Sequence, residues 1–296
     1  MNTTELRFAS NRVRDVERLF HKELDNQYGE GEVRSFLRLL FEAYLGWGQT
    51  ELLMRRDETV NQSDLLRFHW AVEDLKRFRP IQHIIGHVDF CDCRIDVDST
   101  TLIPRPETEE IVLNLFEKLA DKPPRRVLDL CTGSGCIAIA IAKRWPEAEV
   151  SAVDVSSGAL AKARHNAIVN NVEVAFMQMD LLNDDGQDVF ETYDLIISNP
   201  PYIVESEKED MQRNVLDWES ESALFVPNDD PLLFYRFIVK TAQSHLAPDG
   251  LLVLEINERL GEEMTLLLSQ KGFTPSIYKD FRGRQRYVMA RRENKK

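Results

Sequence analysis

Apolar residues in the first eighty positions recur at intervals of three and four. In "NRVRDVERLFHKEL" they fall at Val13, Val16, Leu19, Phe20 and Leu24, which is one face of a helix. "EVRSFLRLLFEAYLGW" repeats the period, and "SDLLRFHWAVEDLKRF" does so again behind Ser63, a candidate N-cap. No alternating pattern precedes Pro80, so residues 1–80 predict a small helical bundle.

Pro80 marks a change of period. "PIQHIIGHVDFCDCRIDVDS" alternates and is rich in Ile and Val, which predicts a hairpin linker over 81–104. Gly86 and the β-branched residues around it argue against a helix there. "TLIPRPETEEIVLNLFEKLA" then predicts a helix opening at Pro106, with Glu107, Glu109 and Glu110 where the helix dipole favours acids. From Arg125 onward, strands alternate with helices. The expected strands are "RRVLDL", "EVSAVD", "EVAFMQ", "YDLIIS" and "GLLVLEI", and the expected helices are Cys136–Arg144, Ser156–Asn170 and Pro231–His245. Such alternation implies a mainly parallel sheet covered on both faces. "TPSIYKD" and "RQRYVMARR" have no helix between them and predict a closing antiparallel hairpin. The chain thus reads as an α/β domain over 105–296 behind a helical one, without internal repeats, its "ENKK" end frayed.

Composition narrows the setting. The 43% apolar content of the 296 residues is ordinary for a globular protein. No run approaches the roughly 20 apolar residues of a bilayer span, and "MNTTELRFASNRVRD" lacks the apolar region of a secretory signal, so the cytoplasm is expected. The net charge of −13 opposes general adhesion to nucleic acid. Four cysteines, Cys91, Cys93, Cys131 and Cys136, are too few for a disulfide scaffold, and their spacing fits no usual zinc pattern. His83 and His87 are spaced i,i+4 but not on an expected helix, so no metal is expected.

"VLDLCTGSGCIAIAIA" runs strand, glycine turn, helix. Gly133 and Gly135 let the backbone turn sharply and approach a ligand closely. Two ligands compete. "GSGCIA" loosely satisfies the dinucleotide fingerprint, with Asp154 about 20 residues on. S-adenosylmethionine (SAM) sites use a similar turn and an acid ending the second strand. Asp129 discriminates: an acid ending the first strand repels a pyrophosphate but suits a methionyl ammonium. On that reading Asp154 accepts from the ribose hydroxyls and Asp180 in "MQMDLL" lies near the adenine amino group, although Asp180 also reads as a plain strand-end polar residue.

"SNPPYI" (Ser198 to Ile203) follows the fourth strand, on the edge of the sheet where ligands of open α/β folds bind. An amide nitrogen is a poor nucleophile carrying two N–H donors. The side-chain carbonyl of Asn199 and the backbone carbonyl of Pro200 are placed to accept one each, and rigid prolines hold them still. Tyr202 offers a flat face for a planar group. This turn is suited to holding an NH2-bearing group while its nitrogen takes a methyl, without a base of shifted pKa.

In order along the chain, "PIQHIIGHVDF", "TLIPRPETEEIV", "DLCTGSGCIAIAIA", "DVSSGALAKARHNA", "SNPPYI" and "DFRGRQRYV" resemble the PrmC/HemK family. The resemblance covers nearly the whole chain from Pro80. It implies a Rossmann-like SAM-dependent methyltransferase fold with a seven-stranded sheet and a small helical N-terminal domain. It implies methylation of the glutamine side-chain amide in the Gly-Gly-Gln motif of class I peptide chain release factors, with the N-terminal helices as a docking surface. By that resemblance Asn199, Pro200, Pro201 and Tyr202 hold the target amide. Asp129, Cys131, Thr132, Gly133, Ser134, Gly135, Asp154, Asp180 and Leu181 hold SAM, with Asn199 beside it. Arg105, Pro106, Glu107 and Thr108 lie at the cofactor or glutamine pocket. The family usually has Gly where Cys131 stands; its "EPxxAL" stretch is "ESESAL" (Glu219 to Leu224), and its glycine after the fifth strand is Asn257. These last two are expected not to touch the catalytic turn. The competing readings are an adenine methyltransferase on DNA or RNA, a ribosomal-protein glutamine methyltransferase and a non-enzymatic SAM sensor. The charge and the lack of a basic recognition segment count against the first, "IPRPETE" against the second, and the intact Asn and Tyr against the third.

Overall fold

The structure is a computed structural model, and it describes residues 8–183 and 189–293. The signal-free start and the frayed end read from the sequence rest largely on residues 1–7 and 294–296, outside the described residues. Two compact units divide the chain. One runs to Gly86 and takes in Gln212–Trp218; the other holds His87–Met211 and the chain from Glu219 onward.

The first unit is helical: α1 (Val13–Tyr28), α2 (Glu30–Leu45), α3 (Gln49–Met54), α4 (Gln62–Lys76) and α5 (Ile81–Ile85). The expected apolar face of α1 is buried at all five positions. It packs with Phe41 and Phe68, whose rings lie 4.5 Å apart. Each such side chain taken fully out of water contributes roughly 1.5–3 kcal/mol. The N-cap of α4 is Asn61, not Ser63: the Asn61 side chain accepts from the Asp64 N–H at 2.8 Å. The helix Ile81–Ile85 replaces the start of the expected hairpin. It is a short stretch stopped by Gly86, whose φ of 90° supplies the left-handed cap. Trp218 belongs to this unit and donates its indole N–H to the Arg77 carbonyl at 3.1 Å.

The second unit opens with the antiparallel hairpin β1 (His87–Phe90) and β2 (Cys93–Asp96). Then follow α6 (Pro106–Lys118), β3 (Arg126–Leu130), α7 (Cys136–Arg144), β4 (Glu149–Asp154), α8 (Ser157–Val169), β5 (Ala175–Gln178), β6 (Tyr193–Ser198) and β7 (Ile203–Val204). The four-residue α9 (Arg213–Leu216) falls in the segment that belongs to the first unit. The rest are β8 (Phe225–Val226), α10 (Leu233–His245), β9 (Leu246–Glu255), α11 (Gly261–Gln270), β10 (Phe273–Lys279) and β11 (Gln285–Arg292).

Seven strands form one sheet in the order β10-β11-β9-β6-β3-β4-β5. The five from β9 to β5 run parallel, and β11 joins β9 and β10 antiparallel, which is the expected closing hairpin. Alternation along the strands divides the core between the two faces. Val127, Leu195, Ile197, Leu251 and Val253 pack toward α6 and α7; Leu128, Leu130, Ile196, Leu252 and Leu254 pack toward α10 and α11. Both faces are covered, so the strands read as continuous apolar runs. The parallel strands end at one edge, where the loops after β3, β4 and β6 gather.

Candidate active site

A cavity of about 290 Å³ opens at that edge. The loop after β3 forms its floor. Cys131, Gly133 and Gly135 all take left-handed backbone, with φ of 60°, 55° and 81°. A Cβ on Gly135 would meet Ala163 and Ile139 at 3.0–3.1 Å, so glycine there lets α7 start against α8. A Cβ on Gly133 would meet nothing within 4 Å, so the space over the loop is open. Asp154, at the end of β4, accepts from the Gly133 N–H at 2.8 Å through one oxygen and from the Ser156 N–H at 2.9 Å through the other. Burial raises its carboxyl above the usual range.

Of the residues assigned from the sequence, Arg105, Thr108, Cys131, Thr132, Gly133, Ser134, Asp154, Asp180, Leu181, Asn199 and Pro201 line this one cavity. Asp129, Gly135, Pro200, Tyr202 and Glu107 do not line it. Asp129 corrects the sequence reading. It is wholly buried beneath the loop, where it accepts the Thr132 hydroxyl at 2.5 Å, and its Oδ1 completes no hydrogen bond. Burial pushes this carboxyl up to about 7. Its place follows from strand parity: it shares the side of Val127, which α7 covers. Asp180 forms a local turn, accepting from the Leu182 N–H and the Asn183 side chain. Glu107 lies 3.9 Å from Arg282.

Tyr202 has a second contact that the sequence reading did not address. Its hydroxyl is not free; it donates to Glu255 Oε1 at 3.0 Å, and burial raises its pKa. The other oxygen of Glu255 takes the Thr108 hydroxyl at 2.6 Å, and Thr108 in turn accepts from the Asn199 side-chain NH2 at 3.2 Å. Arg286 stands beside Tyr202 and Glu255 and is held by Asp280 at 3.2 Å. Among the described residues, neither Asn199 Oδ1 nor the Pro200 carbonyl is taken by a donor.

The "ESESAL" stretch touches the catalytic turn, against expectation. The Ile203 N–H donates to the Leu224 carbonyl at 3.0 Å, and Ser220, Ser222 and Ala223 line the cavity. Glu219 accepts from the Ile103 N–H at 3.1 Å and from Arg105 at 2.7 Å, so it pins the "IPRP" segment. Sequence reasoning missed Glu219 and Glu255. The signal for the latter was available: an acid in the run "LLVLEI", on a strand buried on both faces, has to be paired. Cys131 lines the cavity and Cys136 is buried; among the described residues no group of His, Cys, Asp or Glu is placed to hold a metal.

The residues present fit SAM. An open glycine loop, a carboxylate at the second strand's end and an apolar far wall of Met179, Leu181, Leu182 and Phe234 suit a methionyl, a ribose and an adenine respectively. The sheet order and this cavity, together with a match to the family described as "Methyltransferase small domain" over residues 109–223, define a SAM-dependent methyltransferase. The fold is shared with the crystal structure of the hMettl16 catalytic domain in complex with MAT2A 3'UTR hairpin 6. That likeness has a TM-score of 0.52 at 15% identity and covers 79% of this chain and 84% of that one.

Residues 18–86 match a second family description, "PrmC N-terminal domain". The release factor glutamine methyltransferase of Flavobacterium psychrophilum is 37% identical over 280 residues, 93% of this chain and 98% of that one. The protein of the same name from Bacteroides thetaiotaomicron is 38% identical, over 92% and 97%. The chain belongs to the release factor glutamine methyltransferase family, PrmC/HemK.

Proposed function

We propose that this enzyme methylates the side-chain amide nitrogen of the glutamine in the Gly-Gly-Gln motif of a class I release factor, in the cytoplasm. One observation carries the reading: Asn199 lines the same cavity as the glycine loop and Asp154, with its side-chain carbonyl untaken. When bound, SAM supplies an electrophilic methyl on a sulfonium. Asp154, fixed by two backbone N–H groups, keeps lone pairs for the ribose hydroxyls. Asn199 Oδ1 and the Pro200 carbonyl accept the two N–H bonds of the glutamine amide. The prolines fix both acceptors, so the nitrogen is held in one orientation as its bond to the methyl forms, the methyl–sulfur bond breaks and one N–H proton leaves to solvent. As that bond forms, positive charge develops on the N–H groups, and preorganised carbonyl dipoles stabilise it. We assign the first 80 residues to docking the folded release factor, since a short mobile loop offers little surface of its own.

The test is single-turnover transfer from labelled SAM to purified release factor, with peptide mapping of the product. Asn199→Ala should slow transfer on the order of 100-fold, as loss of a preorganised dipole does. SAM affinity should change far less, because Asp154 and the glycine loop remain. Transfer at the wild-type rate by Asn199→Ala would refute the amide clamp.

A further inference from the structure

We propose that Glu255 is a positioning residue that sets which way the Asn199 amide faces, acting through the Thr108 hydroxyl. The inference rests on the amide-clamp reading above. It follows from donor and acceptor inventories. An ionised carboxylate only accepts. Glu255 Oε2 is 2.6 Å from the Thr108 hydroxyl, and Oε1 is 3.0 Å from the Tyr202 hydroxyl, so both hydroxyls give their single proton to it. Thr108 is left with lone pairs alone facing Asn199. The group 3.2 Å away must then be a donor, which is the Asn199 NH2. Its carbonyl is turned to the other side, as an N–H-bearing target requires.

Among the described residues the chain of bonds runs in one direction and ends on Glu255. Thr108 and Glu255 are both buried, so water is kept from the bond between them. The Arg286 guanidinium offsets the buried charge, and Asp280 holds Arg286 in place. Tyr202 is fixed by the same carboxylate, which keeps the two ends of the "NPPY" turn in one register. Glu255 and Thr108 act on the target only through Asn199, whose Oδ1 shares the target amide with the Pro200 carbonyl.

Gln at position 255 has one acceptor oxygen and one NH2. Only one hydroxyl can then donate to it. If Thr108 turns to receive from that NH2, its proton points at Asn199, and the Asn199 amide must flip. The cavity would then face an NH2 against the target's N–H groups. Protonation of Glu255 does the same thing. Its pKa is raised, first by burial and with Glu107 adding to the rise, while Thr108, Tyr202 and Arg286 oppose it. Tyr235, behind it, donates to the Glu255 backbone carbonyl at 3.0 Å. The acid limb of the transfer rate should therefore lie above the usual carboxylate range.

The experiment measures single-turnover transfer by the full chain from labelled SAM to release factor across a pH series, with SAM binding and melting followed on each variant. Glu255→Gln should slow transfer about 10-fold or more while SAM affinity stays within about 2-fold, and the acid limb should vanish. Thr108→Val should match it, Thr108→Ser should keep near-wild-type transfer, and Glu255→Gln with Thr108→Val together should be no worse than either alone. Wild-type transfer by Glu255→Gln, or a parallel loss of SAM affinity, overturns the inference. If Glu255→Gln does not fold, equal rates for Thr108→Val and Thr108→Ser overturn it. A wild-type rate for Asn199→Ala brings down the underlying clamp instead, whereas a severe Asn199→Ala with a normal Glu255→Gln brings down this inference alone.

Discussion

At the scale of the residue, Asp129 departs most plainly from the role its place in the sequence suggests, since it is wholly buried and does not line the cavity. The sequence placed it beside a ligand because it ends a strand before a glycine loop. The alternation of "VLDL" carried the opposite message, since Asp129 shares a side with buried Val127 and α7 covers that side. Burial lifts it to about 7 against the opposing Thr132 hydroxyl and Ala138 N–H, so its titration falls inside the working range. Its folded pKa lies above the unfolded value of 3.8, so the folded state holds the proton more tightly. Below about pH 4 both states hold the proton and the stability associated with this group is fully present. As pH rises from about 4 to about 7, the unfolded chain ionises this carboxyl while the folded state still holds its proton, so stability is lost across that window, by at most about 4 kcal/mol, and levels off above it. Asp129→Asn keeps an acceptor for Thr132 and removes the titration. Its melting temperature should therefore gain on the wild type as pH is raised from 5 to 8. Melting curves at a series of pH values check this; a difference that stays flat with pH sinks it.

Elements were legible in the sequence where one period ruled. The helix Cys136–Arg144 has the bounds read from the sequence, since an apolar run enters it from a glycine turn and basic residues close it. The closing hairpin was legible because no helical segment separates β10 from β11. The helix Ile81–Ile85 was not legible. It is too short for a period to show, and its β-branched residues match a strand equally well. Least legible were the links between segments far apart in sequence, because nothing local records them. Glu219 is such a link: 114 positions after Arg105, it ties that side chain and the Ile103 N–H to the segment that leads into β8. Glu219→Ala leaves a buried N–H and a guanidinium unpaired, which should cost about 1–3 kcal/mol. The freed segment carries Pro104 and Arg105 on the cavity wall, so SAM affinity should fall as well. Chemical denaturation and calorimetric SAM titration measure the two effects. Loss of neither would mean that the "IPRP" segment holds its shape without Glu219.

The whole molecule carries a net charge of −13 and a helical unit with its own core, none of whose described residues lines the cavity. That unit is the part we assign to docking. Deleting it is a poor test, because Gln212–Trp218 belongs to it and Trp218 would lose its Arg77 acceptor. Point changes on its surface avoid this. The short helix α3 leaves Leu53 and Met54 exposed, at 63% and 81%, a contact surface that folding itself does not use. Leu53→Glu with Met54→Glu replaces that surface by charge at sites where stability should change by no more than about 0.5 kcal/mol. If these residues meet the release factor, kcat/KM on the folded protein should fall about 10-fold or more, the scale of losing an apolar anchor. Turnover of a short Gly-Gly-Gln peptide should be unchanged, since the peptide reaches only the cavity. The comparison separates docking from chemistry. Equal losses on protein and peptide would place the defect in the cavity, and no loss on either would place the docking surface elsewhere than on α3.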